Sequence, residues 1–178
     1  APLGIAAGPD GAMWFTQSNG NRVARITMDG AVTEFSAGIS AGSAPWGIAP
    51  GPDGAMWFTE RTGNRVARIT TSGVVTEFSA GISPGGLLAG INPGPDGNMW
   101  FAAETANAIG RITSGAVRRL TVTRVGTGSG NVRSSSGLID CGPTCAADPD
   151  YLATVTLTAT ARSGSRFAGW GGACTGTA

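Results

Sequence analysis

The chain has 178 residues, of which 41% are hydrophobic and 13% charged, with 30 glycines and a formal net charge of +1. It is too apolar for a disordered chain, and its glycines are too irregularly spaced for collagen. The balanced charge provides no strong field toward nucleic acid, and no apolar run approaches the ~20 residues of a membrane span. The first residues show no basic segment followed by an apolar core, so we expect no signal peptide in this sequence.

Histidine and lysine are both absent from the sequence. The lack of histidine removes the usual general base at neutral pH and the commonest metal ligand. The lack of lysine excludes a Schiff-base lysine and a P-loop lysine. We therefore predict no catalytic residue, no bound metal and no cofactor in this chain.

The first two-thirds of the chain repeats with a period of 43 residues. Closely similar copies begin at Gly4 and Gly47, and a third begins at Gly90 and diverges after Thr113. Each copy contains a Gly-Pro-Asp-Gly turn between two apolar runs, then a polar Gly/Asn cluster, a short apolar run and a final alternating run. This order predicts four short strands in one antiparallel sheet per copy, the pattern of a β-propeller blade.

The repeated residues GIAxGPDGAMWFTE, GNRVARIT and GVVTEF closely resemble the blade repeat of the streptogramin lyase-like (virginiamycin B lyase-like) family. The resemblance covers residues 1–117 and implies an all-β fold with a partial β-propeller of about three four-stranded antiparallel blades. It also implies an elimination reaction on a cyclic depsipeptide antibiotic, carried by a catalytic histidine and a bound Mg²⁺. No position of this chain can take over the role of that histidine.

Three blades are fewer than the 4–8 that close a propeller, so sheet faces and edge strands are left exposed. Residues 1–4 align with residues 44–47, which places the start of the sequence inside a repeat. We expect a fragment of a larger protein. The alternative is self-association, with two or more chains completing one ring.

Residues 118–178 lack the repeat and predict a small C-terminal all-β module of short segments separated by Gly/Ser turns. Residues 117–125 can either finish the third blade or open this module. The stretch is similar to the divergent internalin B-type repeat of bacterial surface and secreted proteins, on the residues LTVTRVGTGSGNV and on residues 139–145, 154–161 and 167–174. That family carries a further cysteine after the position of Cys174, so we expect the module to be incomplete.

All three cysteines lie in this module. Cys141 and Cys145 flank Gly-Pro-Thr, a spacing that a disulfide bond across a tight turn can close. Free thiols and a zinc site are the alternatives, although zinc lacks a complete set of ligands here. A disulfide indicates an oxidising compartment, hence secretion or display at a bacterial cell surface, and it leaves Cys174 unpaired.

Three residue types recur once per copy, and each allows a functional and a structural interpretation. Tryptophans can stack on a ligand or pack neighbouring blades; aspartates can hold a divalent cation or bond within their own turn. Arginines can recognise an anion or lie on the polar face of a blade, against Glu34 and Glu77. We favour the structural interpretation for all three sets: Trp14, Trp57 and Trp100; Asp10, Asp53 and Asp96; Arg25, Arg68 and Arg111.

Ligand contacts are better sought on a loop where the copies differ, because variable polar residues on a constant scaffold are where sites arise. Two such positions follow the second strand, with Gln17, Glu60 and Ala103 at the first and Ser18, Arg61 and Glu104 at the second. We predict ligand contacts at Glu60, Arg61 and Glu104. Trp46 also differs from its counterparts Leu3 and Ala89, and there we expect packing between blades.

The favoured function is a secreted or surface bacterial propeller that acts as a binding or scaffold module, without catalytic activity in this chain. Its ligand is an unidentified small molecule, glycan or protein rather than nucleic acid. The alternative is a fragment of a streptogramin lyase-like enzyme whose catalytic histidine and Mg²⁺ site lie outside this chain.

Overall fold

The structure, a computed structural model, describes residues 1–115, 119–141, 145–147, 149 and 154–172. The chain divides into two compact units, Ala1–Ala116 and Val117–Ala178. The described residues contain no helix long and apolar enough to cross a membrane.

The first unit consists of three antiparallel sheets, one per repeat, which we call blades 1, 2 and 3. Each strand pairs with the next along the chain, as expected for strands joined by tight turns. Blade 1 contains β1 (Pro2–Ala7), β2 (Met13–Gln17), β3 (Arg22–Ile26) and β4 (Val32–Phe35). Blade 2 contains β5 (Pro45–Pro50), β6 (Met56–Glu60), β7 (Arg65–Ile69) and β8 (Val75–Phe78), and blade 3 contains β9 (Leu88–Pro93), β10 (Met99–Ala103) and β11 (Ala108–Ile112).

The prediction of four strands per blade is confirmed for blades 1 and 2, whereas blade 3 has three strands among the described residues. The short strand β12 (Leu120–Thr121) does not complete blade 3. It pairs with β14 (Ala146–Ala147), so this strand belongs to the second unit rather than to blade 3.

The Gly-Pro-Asp-Gly turn positions the blade tryptophan. Gly11 has a φ of +77°, which L side chains rarely adopt, and a Cβ on Gly8 would lie 2.4 Å from the Trp14 ring. Asp10 Oδ1 accepts hydrogen bonds from Trp14 Nε1 at 3.0 Å and from the Ala12 amide at 3.3 Å. The recurring aspartates therefore bond within their own turns, as predicted.

Neighbouring blades pack face to face through their apolar strand residues. Trp14 and Val23 of blade 1 are fully buried against Ile48, Met56 and Phe58 of blade 2. The same interface recurs between blades 2 and 3, where the buried residues are Trp57, Val66, Leu88, Ile91 and Phe101. A threonine hydroxyl also donates a hydrogen bond across each interface. Thr16 Oγ1 of blade 1 donates to the Trp46 carbonyl of blade 2 at 2.6 Å, and Thr59 Oγ1 of blade 2 donates to the Ala89 carbonyl of blade 3 at 2.5 Å.

The predicted packing role of the tryptophans is confirmed for Trp14 and Trp57, which are 0% and 1% exposed and stack on Phe35 and Phe78. It is wrong for Trp100, which is 39% exposed. The outer face of blade 3 has no blade against it among the described residues, and a residue whose burial depends on a neighbour is exposed without one.

The second unit is small and also built of strands. β13 (Gly130–Ser134) pairs with β15 (Leu157–Ala161), and its core contains Val132, Ile139 and Cys141. Cys141 and Cys145 form a disulfide bond with their Cα atoms 4.5 Å apart, which confirms the predicted pairing. Cys174 lies outside the described residues.

Candidate ligand site on the blade loops

The recurring arginines are held by the recurring aspartates. Arg25 Nε lies 2.5 Å from Asp10 Oδ2, and Arg68 and Asp53 form the same pair in blade 2. The predicted pairing of Arg25 with Glu34 is wrong, because the register places Ala24 opposite Glu34 and Arg25 opposite Thr33. In blade 3, Arg111 Nη1 lies 3.4 Å from Asp96 Oδ2.

These pairs leave the aspartates ionised. Burial raises the pKa of Asp53, but hydrogen bonds from Trp57 and Arg68 outweigh it and hold that pKa below its usual value. The pairs therefore stabilise the turns rather than offering a free anion or cation site. The described residues contain no group of three or more acidic or cysteine side chains arranged to hold a metal ion.

Two of the predicted ligand contacts meet across blades 2 and 3. Arg61 follows β6 and Glu104 follows β10, and Arg61 Nη2 lies 2.6 Å from Glu104 Oε2. The guanidinium of Arg61 also stacks over the Trp46 ring, with Cζ 4.5 Å from the ring centroid. The side chain of Arg61 is 22% exposed and that of Glu104 is 49% exposed, so both reach solvent.

This arrangement combines three kinds of contact on one loop face. Trp46 is a half-buried aromatic ring, Arg61 supplies hydrogen-bond donors, and Glu104 supplies acceptors. The ion pair lowers the pKa of Glu104 and raises that of Arg61, so both groups are charged at neutral pH. A cavity of about 220 Å³ lies beside Glu104, lined by Ala102, Ala103, Glu104, Asn107, Ala108 and Ile109.

Two asparagines, which no sequence-based prediction above includes, hold the loops of this face together by hydrogen bonds. Asn64, with a φ of +53°, donates from Nδ2 to the Ser83 carbonyl at 2.9 Å and accepts from the Gly86 amide at 2.9 Å. Asn21 does the same between blades 1 and 2, bonding Ser40 and Ala44. Each asparagine ties the turn after β2 or β6 to the chain entering the next blade. Its recurrence in Gly-Asn-Arg was the available signal.

Glu60, the third predicted contact, is 0% exposed and does not reach the surface beside Arg61. Neither of its carboxyl oxygens has a hydrogen-bond partner among the described residues, and the guanidinium of Arg65 lies 3.7 Å away. Burial, and then the neighbouring Glu77, raise the pKa of Glu60 to about 8, although Ser43 and Arg65 oppose this. Glu60 is therefore mainly protonated at neutral pH.

Glu77 stays ionised beside it. Its two carboxylate oxygens accept from the Ser40 amide at 2.5 Å and from Ser40 Oγ at 2.6 Å. Burial raises the pKa of Glu77, but these bonds outweigh it and hold the pKa below its ordinary value. Blade 2 thus holds one protonated and one ionised carboxyl group side by side.

The blade repeats match a known protein family. The family model described as the virginiamycin B lyase family matches residues 1–130. The chain belongs to the virginiamycin B lyase family. Its streptogramin lyase-like resemblance and its propeller fold are thereby established, whereas the internalin B-type resemblance of the C-terminal module stays a prediction.

Solved structures of family members agree with the blade architecture. Virginiamycin B lyase from Staphylococcus aureus is 46% identical with a TM-score of 0.62, over 64% of this chain and 38% of that one. A catalytically inactive form of that enzyme with quinupristin, in which a histidine is replaced by alanine, matches at a TM-score of 0.61 with the same identity and coverage. A streptogramin B lyase is 32% identical with a TM-score of 0.55, over 65% of this chain and 41% of that one.

Virginiamycin B lyases from Bordetella parapertussis and Bordetella bronchiseptica are each 51% identical over 35 residues, which is 20% of this chain and 12% of theirs. The chain therefore spans well under half the length of the relatives it matches.

Proposed function

We propose that these blades form a ligand-binding part of a virginiamycin B lyase-like propeller, and that they bind a streptogramin-type cyclic peptide without catalysing its elimination. The observation that carries the proposal is Arg61, held between the Trp46 ring and the Glu104 carboxylate on an accessible loop face. A cyclic depsipeptide presents apolar rings, carbonyl oxygens and amide N–H groups, which match an aromatic ring, a donor and an acceptor respectively.

The similarity to lyases supports this choice of ligand. The S. aureus enzyme with quinupristin shares 46% identity with the matched part of this chain, which is 64% of its length. Arg61 differs from its repeat counterpart Ser18, as expected of a residue that serves a ligand rather than the repeat.

Catalysis is assigned elsewhere because the residue chemistry for it is missing. The 178 residues contain no histidine, and the S. aureus variant that lacks one histidine is catalytically inactive. The acidic residues described here do not form a Mg²⁺ site, so no step through a metal is derived for them. The alternative is a complete lyase in which these blades supply substrate contacts and residues beyond these 178 supply proton transfer and Mg²⁺.

We also propose secretion or cell-surface display. The Cys141–Cys145 disulfide supports an oxidising compartment, since such bonds are rare in proteins of the bacterial cytosol. The internalin B-type resemblance of residues 118–178 points the same way.

Titration of the 178-residue chain with quinupristin, followed by tryptophan fluorescence and calorimetry, tests the proposed function. We expect saturable binding, and at least tenfold weaker binding for Trp46→Ala and for Arg61→Ala, because each removes a central contact. Arg22→Ala is the matched control, since it breaks an exposed Arg–Glu pair on blade 1 away from the loop face of blades 2 and 3.

Thermal unfolding of each variant separates lost contacts from lost folding. Absence of saturable binding, or equal binding by the wild type and both variants, would overturn the proposal. Mass spectrometry of the recovered quinupristin checks the second half, because a ring-opened product would show elimination by this chain alone.

A further inference from the structure

The second unit contains a cleft of about 410 Å³ that the propeller function does not use. A volume of this size lies within the range of small-ligand pockets. Most of the lining follows residue 130, where the family match ends. The polar and charged side chains that line it are Arg124, Ser129, Asn131, Arg133, Asp140 and Arg162.

The cleft forms because one face of the β13–β15 ribbon is polar. Val132 is 6% exposed and packs inward against Ile139, so strand alternation turns Asn131 and Arg133 to the opposite face. Their partners across the ribbon are threonines, Thr160 opposite Asn131 and Thr158 opposite Arg133.

The ribbon pairing continues beyond β15. The Arg162 amide donates to the Ser129 carbonyl at 3.0 Å, which fixes the backbone of Arg162 at the end of the polar face. Arg162 therefore belongs to the same surface as Asn131 and Arg133 because of the register, and not through flexible side-chain placement alone.

The negative charge of the one acidic residue in the lining is balanced by a neighbouring arginine. Asp140 Oδ2 lies 3.1 Å from Arg133 Nη2, and Asp140 Oδ1 accepts from Asn131 Nδ2 at 3.0 Å. These two contacts, Asn131 first, lower the pKa of Asp140, so its carboxylate stays ionised and its charge is matched by Arg133. Two positive charges remain in the cleft, on Arg124 and Arg162.

Both guanidinium groups have N–H donors that can bind a ligand. Arg124 Nη1 donates to the Gly130 carbonyl at 2.9 Å, which anchors the side chain through one of its five N–H groups. Within the described part of the chain, the guanidinium of Arg162 makes no hydrogen bond or ion pair with another side chain. A guanidinium presents its donors as a planar fork that fits an oxyanion in a bidentate manner.

We propose that this cleft binds the oxyanion group of a small ligand, a carboxylate, sulfate or phosphate, between Arg124 and Arg162. Ser129, which also lines the cleft, supplies a hydroxyl for the remainder of such a ligand. The proposed site lies in the second unit and shares no residue with the loop face of blades 2 and 3. A failed quinupristin titration would therefore not count against it.

Nuclear magnetic resonance of the ¹⁵N-labelled chain tests this directly through the arginine Nε–H signals. Sodium sulfate, sodium phosphate and sodium galacturonate are titrated separately, with sodium chloride keeping the ionic strength constant. We expect saturable shifts of the Arg124 and Arg162 signals at millimolar anion. Tighter saturation by galacturonate indicates an acidic sugar as the source of the oxyanion, and tighter saturation by sulfate or phosphate indicates a free anion.

The variants are Arg162→Gln, expected to weaken binding at least fivefold, and Arg162→Lys, expected to fall between it and the wild type because charge is kept and the fork is lost. Arg119→Gln is the matched control: it removes one positive charge from the same unit but not from the cleft, and binding should stay unchanged. Shifts that rise linearly without saturation, or equal losses in the Arg119 and Arg162 variants, would overturn the proposal. The amide spectrum of each variant reports whether the unit is folded.

Discussion

Blades 1 and 2 carry an arginine and a glutamate at the same two repeat positions, but the third position beside them is Gln17 in blade 1 and Glu60 in blade 2. In blade 1, Gln17 Nε2 donates to Glu34 Oε1 at 3.0 Å, and Arg22 Nη1 lies 2.5 Å from Glu34 Oε2. In blade 2 the carboxyl of Glu60 takes the place of this amide, and within the described part of the chain it forms no hydrogen bond like that of Gln17.

The surroundings differ as well. Glu34 is 43% exposed, whereas Glu77 is 16% and Glu60 0% exposed. Water screens the charges of the exposed pair in blade 1. In blade 2 the carboxyl groups are buried, so the charges of neighbouring side chains act on them with little screening. The same repeat sequence therefore gives a surface ion pair in one blade and a buried group sensitive to pH in the next.

The largest effect is expected from removing the cation of blade 2. Arg65 lies 3.7 Å from both Glu60 and Glu77, so Arg65→Ala leaves a buried carboxylate without its counter-charge. We expect a loss of about 2 kcal/mol in unfolding free energy, below the 3–5 kcal/mol of a fully buried pair because a third of Arg65 is exposed. Urea unfolding measures it. Arg22→Ala in blade 1 should cost a small fraction of that, and equal losses would contradict the comparison.

The next effect is a pH dependence. Because the pKa of Glu60 is raised from 4.5 to about 8, the folded state binds a proton that the unfolded state releases, and stability falls as pH rises from about 4.5 to about 8. Glu60→Gln supplies an amide donor at every pH, as Gln17 does, and should remove this contribution and be more stable than the wild type above pH 8. Unfolding of both proteins across pH 4–9 tests it, with Glu104→Gln as an exposed control. Identical slopes in the wild type and Glu60→Gln would refute it.

The smallest effect is expected from the reverse exchange, Gln17→Glu in blade 1. The introduced carboxyl meets the same partner chemistry, but its half-exposed position lets water stabilise the ionised form. Its pKa, followed by ¹³C nuclear magnetic resonance, should lie above the ordinary glutamate value and well below that of Glu60. A pKa as high as that of Glu60 would show that the neighbouring carboxylate, rather than burial, dominates in blade 2.

Much of the fold follows from the sequence because its signals are local. The repeat, the Gly-Pro-Asp-Gly turn and the alternation of apolar residues each act within one blade, and the Cys141–Cys145 spacing acts within five residues. The pairing of Arg25 with Asp10 rather than Glu34 does not follow from the sequence pattern, because it depends on strand register, where a shift of one residue changes every partner.

The site was predictable only in part for a similar reason. The variation between repeats points to Arg61 and Glu104 as loop residues, and the structure brings their side chains together. The burial of Glu60 is not predictable from its own strand, since its neighbours include Ser43 from the preceding connection and Glu77 from a later strand. The exposure of Trp100 is likewise set by what packs on blade 3, and not by its own repeat.

The hydrogen bonds that threonine hydroxyls make between blades all run in one direction along the chain. Thr16 and Thr59 each donate to the carbonyl of the blade that follows, and never to the one before. Blade 3 has Ala102 at this position and has no hydroxyl to donate. A blade packed on the outer face of blade 3 would therefore lack the threonine hydrogen bond that links blade 1 to blade 2 and blade 2 to blade 3.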